Sequence, residues 1–159
     1  MRRRHFLVVA ATVALPPLHA QEPGESLEHI DDLGALLDAV RTTRRPLLVL
    51  FSTPGCPYCR EVRRNYLAPR VADGVETSGV VIREVDITSR RAFVERGAQR
   101  TTEAALAQRF GVRMVPVIQL LDGAAQPLGE PIVGLDRSGF FEARLQGAID
   151  AARRSLAAR

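Results

Sequence analysis

The sequence is poor in the residues that bind metal ions. It contains two cysteines, two methionines and three histidines, and it has no tryptophan. His5 and His19 fall within the first 20 residues, which have the pattern of an export leader, so His29 is the one histidine of the remaining chain. Thiolate-based zinc sites need four ligands, and Met114 alone supplies little for copper. We therefore expect no metal and no other cofactor.

Basic charge of the kind that binds nucleic acids is also missing. All 22 basic residues are arginine and the formal net charge is +4, but Arg2, Arg3 and Arg4 carry three of these charges. The rest of the chain is close to neutral, so we expect no nucleic-acid partner. With 46% hydrophobic and 25% charged residues, the 159-residue chain has the composition of a globular protein and the length of one domain.

No apolar run is long enough to cross a membrane. Phe6–Leu15 is apolar but short, and with arginines before it and Ala20 after it, it has the pattern of a signal peptide over residues 1–20. Arg3-Arg4-His5-Phe6-Leu7 resembles a twin-arginine export signal, and an ordinary arginine-rich leader fits the same residues. We expect a periplasmic or secreted protein with no stable membrane insertion once the leader is removed.

The domain is predicted to follow a short polar segment. Residues 21–30 contain Pro23-Gly24 and are interpreted as a linker, which leaves residues 31–159 for the domain. Its first element is an amphipathic helix before Pro46, because apolar residues recur there at helical spacing: Leu33, Leu36, Leu37 and Val40.

Two apolar runs predict neighbouring strands. Leu47–Phe51 has the continuous apolar pattern of a strand covered on both faces, and Val80–Ile87 is the next strand. One helix separates them, which predicts a parallel βαβ unit. That helix begins near Pro57 and is expected to end at Pro69. Three arginines are assigned to its outer face: Arg60, Arg63 and Arg64.

The second half of the domain gives a less uniform pattern. Thr88–Arg100 is charged, and either a short helix around Ala92–Arg96 or a plain surface excursion fits it. Thr102–Phe110 has a helical pattern, and Gly111 is placed to end that helix.

A proline at the head of an apolar strand is the next landmark. Pro116 precedes Val117–Leu121, and because proline cannot donate to a sheet, it belongs at the first residue of a strand or at a bend. Asp122-Gly123 predicts a hairpin turn, with Leu128–Val133 returning as an antiparallel strand. After Gly134, Ser138 is predicted to cap a closing helix whose apolar residues are Phe141, Leu145, Ala148, Ile149 and Ala152.

The two cysteines, Cys56 and Cys59, stand where a buried strand passes into a helix. The thiolate is the reactive form of cysteine, and a helix N-terminus lowers the pKa of a thiol. Pro57 suits the first turn, because it lacks an N–H and its φ is already helical. Residues of this type at this spacing favour thiol–disulfide exchange.

Two other interpretations of the pair stay open. A purely structural bridge would close a very small loop and so stabilise the fold by only about 2 kcal/mol on the loop-entropy model. Half of a zinc site would need two more ligands, from carboxylates or from a second chain.

The order of elements, with Cys-x-x-Cys at a helix start and a proline-led hairpin, resembles the thioredoxin superfamily over about residues 31–154. This resemblance implies an α/β protein with the thioredoxin-like fold, in three α/β/α layers with a mixed parallel and antiparallel central sheet. It further implies that Cys56 is the exposed nucleophile, that Cys59 is the buried resolving thiol, and that the two form a redox-active disulfide. It makes Pro116 a cis-proline that places the Val115 backbone for substrate binding.

The motif departs from thioredoxins proper in informative ways. Gly55 stands where they carry tryptophan, and Leu50 stands where they carry a buried aspartate, so the proton-transfer role of that acid has no occupant. Cys-Pro-Tyr-Cys, with Pro57 and Tyr58, is the glutaredoxin dipeptide, but the glutathione-binding pattern of that family is absent after Asp122-Gly123. The resemblance is nearest to exported thioredoxin-like proteins that carry Pro-Gly-Cys-Pro-Tyr-Cys.

The function expected from these features is exported thiol–disulfide exchange on protein disulfides or dithiols. We favour a monomeric reductase that a membrane electron-donor protein recharges. The alternatives are a disulfide donor, which runs the same steps in reverse, and a non-catalytic chaperone or metal-binding module on the same fold.

Overall fold

The computed structural model describes residues 26–136 and 138–159; the predicted signal peptide and residues 21–25 of the predicted linker lie outside the described residues. The helices and strands of the described part are, in chain order, α1 (Leu33–Thr43), β1 (Leu47–Ser52), α2 (Pro57–Val62), a π-helical segment (Arg63–Leu67), α3 (Ala68–Ala72), α4 (Gly74–Ser78), β2 (Val81–Asp86), β3 (Ala92–Arg96), β4 (Gln99–Thr102), α5 (Glu103–Arg109), β5 (Val117–Leu121), β6 (Ile132–Val133) and α6 (Phe141–Ala157).

Four strands form the central sheet in the order β2-β1-β5-β6. β1 pairs in parallel with β2 and antiparallel with β5, and β5 pairs antiparallel with β6. Every residue of β1 is buried, as its unbroken apolar run predicts for a strand that is covered on both faces. The mixed parallel and antiparallel sheet of the α/β architecture that the resemblance implies is confirmed.

Helices cover the sheet on both faces. On one face, the Phe51 ring of β1 lies 5.8 Å from the ring of Phe110, which follows α5, and α1 packs beside them. On the other face, Tyr66 of the π-helical segment contacts Phe141 of α6, with 4.6 Å between the ring centroids. The buried apolar side chains of the two faces make one core around β1. These are the three layers of the predicted architecture.

The helix that follows the cysteines does not end at Pro69, so that prediction is wrong. The chain stays helical through α3, and after Asp73 it continues as α4. Ahead of the proline the hydrogen bonding widens, and the Ala68 N–H donates to the carbonyl of Arg63, five residues back. Pro69 then lies in the first turn of α3, where its missing N–H costs no helical bond.

The segment after β2 forms a β-hairpin, not the short helix around Ala92–Arg96. β3 and β4 pair antiparallel across a turn at Gly97, whose φ of 58° suits glycine. The hairpin docks on the start of the domain, since Phe93 is buried and the Val94 N–H donates to the Asp31 carbonyl over 2.9 Å. Asp31 lies some 60 residues before Val94 in the chain, so a local sequence pattern does not show this contact.

Two details at the C-terminal end also differ from the sequence-based expectation. The return strand is interrupted rather than continuous over Leu128–Val133. Pro127 bridges to Leu121 and the Leu128 N–H donates to the Leu120 carbonyl over 2.8 Å, but regular pairing with β5 is confined to Ile132 and Val133. Ser138 does not cap the closing helix, since α6 begins at Phe141 with Phe140 as its N-cap.

Part of the predicted linker packs against the domain. Leu27 and Ile30 are buried, and the Glu84 N–H of β2 donates to the Glu28 carbonyl over 2.9 Å. Residues 27–30 thus cover the outer edge of β2, which would otherwise expose unpaired backbone groups.

Candidate active site

The end of β1 places Cys56 at the start of a helix. A turn follows the strand, in which the Cys56 N–H donates to the Thr53 carbonyl over 3.3 Å. Gly55 sits in this turn with a φ of 77°, a conformation that a side chain would strain. Cys56 is then the N-cap of α2 and Pro57 occupies its first turn, as the sequence predicts.

The two cysteines are joined in a disulfide, and they differ in exposure. Their Cα atoms lie 5.3 Å apart. Cys56 is partly exposed, whereas Cys59 is completely buried under the helix. The Cys59 N–H also donates to Cys56 Sγ over 3.1 Å, so the sulfur lies at the unpaired N–H groups of the helix terminus. Of the two sulfurs, Cys56 is the one that an outside thiol or disulfide can reach.

The proline-led strand meets the cysteine loop at the same end of the sheet. Phe51 pairs with Val117, which puts Pro116 opposite Ser52, the last residue of β1. The Val115–Pro116 peptide bond is cis, and the Pro116 carbonyl accepts from the Gly134 N–H over 2.9 Å. The sheet thereby brings the predicted substrate-binding residues Val115 and Pro116 to the end that carries Cys56 and Cys59.

Exposed apolar side chains lie on the segments that meet at this end. Tyr58, in the first turn of α2, is 42% exposed, and Met114, just before Val115, is 64% exposed. Val133 pairs with Val117 and is 47% exposed. Exposed apolar groups next to a reactive sulfur suit contact with a polypeptide substrate.

The three arginines predicted for the outer face of the helix divide into two groups. Arg60 and Arg64 are exposed, as predicted. Arg63 is not on the outer face: its side chain is 15% exposed, and its Nε lies 2.9 Å from Oε1 of Glu84. The prediction is wrong for Arg63, because a carboxylate of β2 lies beneath the helix.

Glu84 is the residue near the site that sequence reasoning missed. It is 5% exposed and accepts a hydrogen bond from the Ser52 hydroxyl. Glu84 pairs with Leu50 across the parallel ladder, so both side chains point to the face that carries α2. The predicted strand Val80–Ile87 carries three charged residues, Arg83, Glu84 and Asp86, whereas a strand that is covered on both faces is apolar. The sequence therefore signalled that a charge could be buried there, but not which of the three residues carries it.

Residues 26–136 and 138–159 contain neither a metal-binding cluster nor a membrane-spanning helix. No group of three or more His, Cys, Asp and Glu side chains in this part of the chain is arranged to hold a metal ion. No helix there is both long and apolar enough to cross a membrane.

Solved structures resemble this fold over most of their length. A thioredoxin variant from Halobacterium salinarum matches with 20% identity and a TM-score of 0.52, over 84% of this chain and 96% of that chain. Spinach chloroplast thioredoxin F, short form, matches with 19% identity and a TM-score of 0.53, over 84% and 98%. A DsbH oxidoreductase matches with 12% identity and a TM-score of 0.54, over 86% and 95%.

Sequence comparison gives the family. No curated protein matches the chain at a significant level. The model of the thioredoxin-like domain matches residues 33–150, which include both cysteines, Val115 and Pro116. The chain therefore belongs to the thioredoxin-like domain family, and its Cys56–Cys59 pair is that of a thiol–disulfide oxidoreductase.

Proposed function

We propose that the protein is an exported reductase of protein disulfides that works through Cys56 and Cys59. The observation that carries this proposal is the unequal exposure of the two sulfurs at a helix N-terminus. A nucleophile must be reachable from outside, and a resolving thiol must be protected from other partners. The Cys56–Cys59 pair meets both requirements.

Each turnover moves two electrons and two protons to the substrate. The Cys56 thiolate attacks one sulfur of the substrate disulfide, which forms a mixed disulfide and releases one substrate thiol after protonation. Cys59 then loses its proton and attacks Cys56 Sγ, which forms the Cys56–Cys59 disulfide and releases the second thiol. An external dithiol must restore the reduced protein before the next turnover.

Substrate binding is assigned to the apolar end of the sheet. An extended substrate segment would pair with the backbone of Val115, ahead of Pro116, and its apolar side chains would contact Tyr58, Met114 and Val133. Main-chain pairing tolerates many sequences, which suits an enzyme that acts on different protein disulfides.

The proposal also covers the direction of electron transfer, the location of the protein and the source of its electrons. The leader pattern of residues 1–20 supports a periplasmic or secreted protein, and the resemblance to exported thioredoxin-like proteins supports a reductase that a membrane donor recharges. Such a protein works as a monomer, because one chain carries both cysteines and the substrate-binding residues.

The enzyme assignment is tested by removing each sulfur separately. With dithiothreitol as reductant, protein lacking residues 1–20 should reduce insulin disulfides, and Cys56→Ser should lose this activity completely. Cys59→Ser should accumulate mixed disulfides with the substrate, because attack still occurs while resolution cannot. Equal activity of the unmodified protein and Cys56→Ser would leave a chaperone or another non-catalytic module as the function.

The direction is tested by equilibration with defined ratios of reduced to oxidised glutathione. A potential near that of thioredoxin, about −270 mV, supports the reductase. A value near −120 mV would instead identify a disulfide donor.

A further inference from the structure

A buried ion pair connects the sheet to the helix that carries the cysteines. Glu84 Oε1 accepts from the Ser52 hydroxyl and lies 2.9 Å from Arg63 Nε. Only 5% of Glu84 and 15% of the Arg63 side chain are exposed. Charges in such a position are weakly screened by salt, so each acts on its surroundings more strongly than a surface charge does.

The arginine of this pair follows the buried cysteine by one helical turn. The Arg63 N–H points back to the carbonyls of Cys59 and Arg60, and Arg63 is also the first residue of the π-helical segment. Its side chain passes under the helix to β2 instead of outward to water. A positive charge in this place stabilises a thiolate, and with it the reduced form of the cysteine pair.

The carboxylate of Glu84 cancels that effect, because it places a negative charge against the same guanidinium. We call α2 and the π-helical segment together the redox helix (residues 57–67). Its other charged side chains, Arg60, Glu61 and Arg64, are exposed and screened by solvent. Asp86, at the end of β2, accepts hydrogen bonds from the backbone and hydroxyl groups of Thr88.

We propose that Glu84 is a positioning residue that tunes the redox pair: it neutralises Arg63 beneath the helix and so keeps the Cys56–Cys59 disulfide weakly oxidising. This inference rests on the proposed function and adds to it the group that sets its direction. The equilibrium that Glu84 tunes is the exchange between the protein and glutathione. On one side are the protein disulfide and two glutathione thiols, and on the other are the protein dithiol and one glutathione disulfide. Two electrons and two protons pass from glutathione to the protein in the forward direction.

The test uses charge-removing variants on the two sides of the pair. Glu84→Gln leaves a net positive charge, so the glutathione equilibrium should shift about three- to tenfold toward the reduced protein, the size expected of one weakly screened charge beneath the helix. Arg63→Gln leaves a net negative charge and should shift the equilibrium by a similar factor toward the disulfide. The thiol pKa of Cys56 should fall in the first variant and rise in the second.

The double variant separates tuning from a merely structural role. Glu84→Gln combined with Arg63→Gln restores neutrality, so its equilibrium constant should return to within about twofold of the unmodified protein. If the pair only holds the helix in place, the double variant should be disturbed at least as much as either single variant. Shifts of the same sign in the two single variants would overturn the proposal, as would no shift in either.

Matched surface variants complete the experiment. Glu61→Gln and Arg64→Gln remove exposed charges from the same helix, and their smaller shifts should disappear in 0.5 M salt, whereas those of the buried pair should persist. If Glu84→Gln does not fold, Arg63→Gln and its salt dependence still decide the question. Failure of the unmodified protein to form a reversible disulfide would instead contradict the proposed function.

Discussion

Two glutamates, Glu84 and Glu103, are buried in the domain, and they serve different regions. Glu84 lies under the redox helix, where it contacts Arg63 and Ser52. Glu103, the first residue of α5, is fully buried and contacts groups from other parts of the chain. Its carboxylate lies 2.7 Å from His29 Nδ1 and 3.1 Å from Arg91 Nη1, and it accepts from the Asp86 N–H over 3.2 Å.

The difference lies in what each carboxylate connects. The partners of Glu84 belong to the strand and the helix on either side of the cysteine loop, so its charge acts on the redox pair. The partners of Glu103 belong to the N-terminal segment, to the residue before the β-hairpin and to the end of β2. Glu84 thus tunes the redox pair, whereas Glu103 stabilises the packing of three separate segments.

Removing the charge of Glu103 should have the largest effect on stability. Glu103→Gln weakens the hydrogen bonds that a fully buried carboxylate accepts from Arg91 and from the Asp86 N–H, and we expect the free energy of unfolding to fall by about 2 kcal/mol. Urea denaturation of the oxidised protein measures this loss. The glutathione equilibrium constant of Glu103→Gln should stay within about twofold of the unmodified protein; a shift as large as that of Glu84→Gln would remove the contrast between the two regions.

Asp122 is a third buried carboxylate, and it belongs to neither region. Burial alone would raise the pKa of Asp122, but N–H groups of Gln126 and Ala124 and the guanidinium of Arg159 donate to it and hold its pKa below the usual value. A group whose pKa is lowered by folding contributes stability above its unfolded pKa of about 3.9, and this contribution is lost as the pH falls through the folded value.

Asp122→Asn should therefore have an intermediate effect that depends on pH. We expect the free energy of unfolding to fall by about 1.5 kcal/mol at pH 7. An amide accepts hydrogen bonds from the Ala124 and Gln126 N–H groups less well than a carboxylate does. The loss should shrink when the pH is lowered from about 5 to about 3. Urea denaturation of both proteins at several pH values measures it, and a difference that does not change with pH would contradict the assignment to ionised Asp122.

A surface ion pair gives the smallest expected effect. Glu76 contacts Arg45, but its side chain is almost wholly in water. Glu76→Gln should change the free energy of unfolding by less than about 0.5 kcal/mol, because exposed pairs are screened and cost side-chain entropy. A loss comparable to that of Glu103→Gln in the same denaturation experiment would show that burial does not govern the contribution of these carboxylates.

Much of the fold was predictable because its signals are local. The apolar run of β1, the helical spacing of Leu33, Leu37 and Val40, and the glycine after α5 each follow from the conformational preferences of a few adjacent residues. The hairpin Ala92–Thr102 was not predictable in this way, because its docking depends on Asp31. The continuation of the helix past Pro69 depends on a widened turn that begins six residues earlier.

The features of the candidate site also separate into those with a local sequence signal and those that depend on long-range contacts. The redox motif could be recognised from the sequence alone, since Cys56, Pro57 and Cys59 place two thiols at a helix start within four residues. The direction in which Arg63 points, and the position of Glu84 beneath it, follow from contacts between distant segments of the chain. The periodicity of a helix predicts which of its residues share a face. It does not predict that the partner of Arg63 is Glu84 of β2, more than 20 residues further along the chain. Burial then makes their interaction strong, because water no longer screens the two charges.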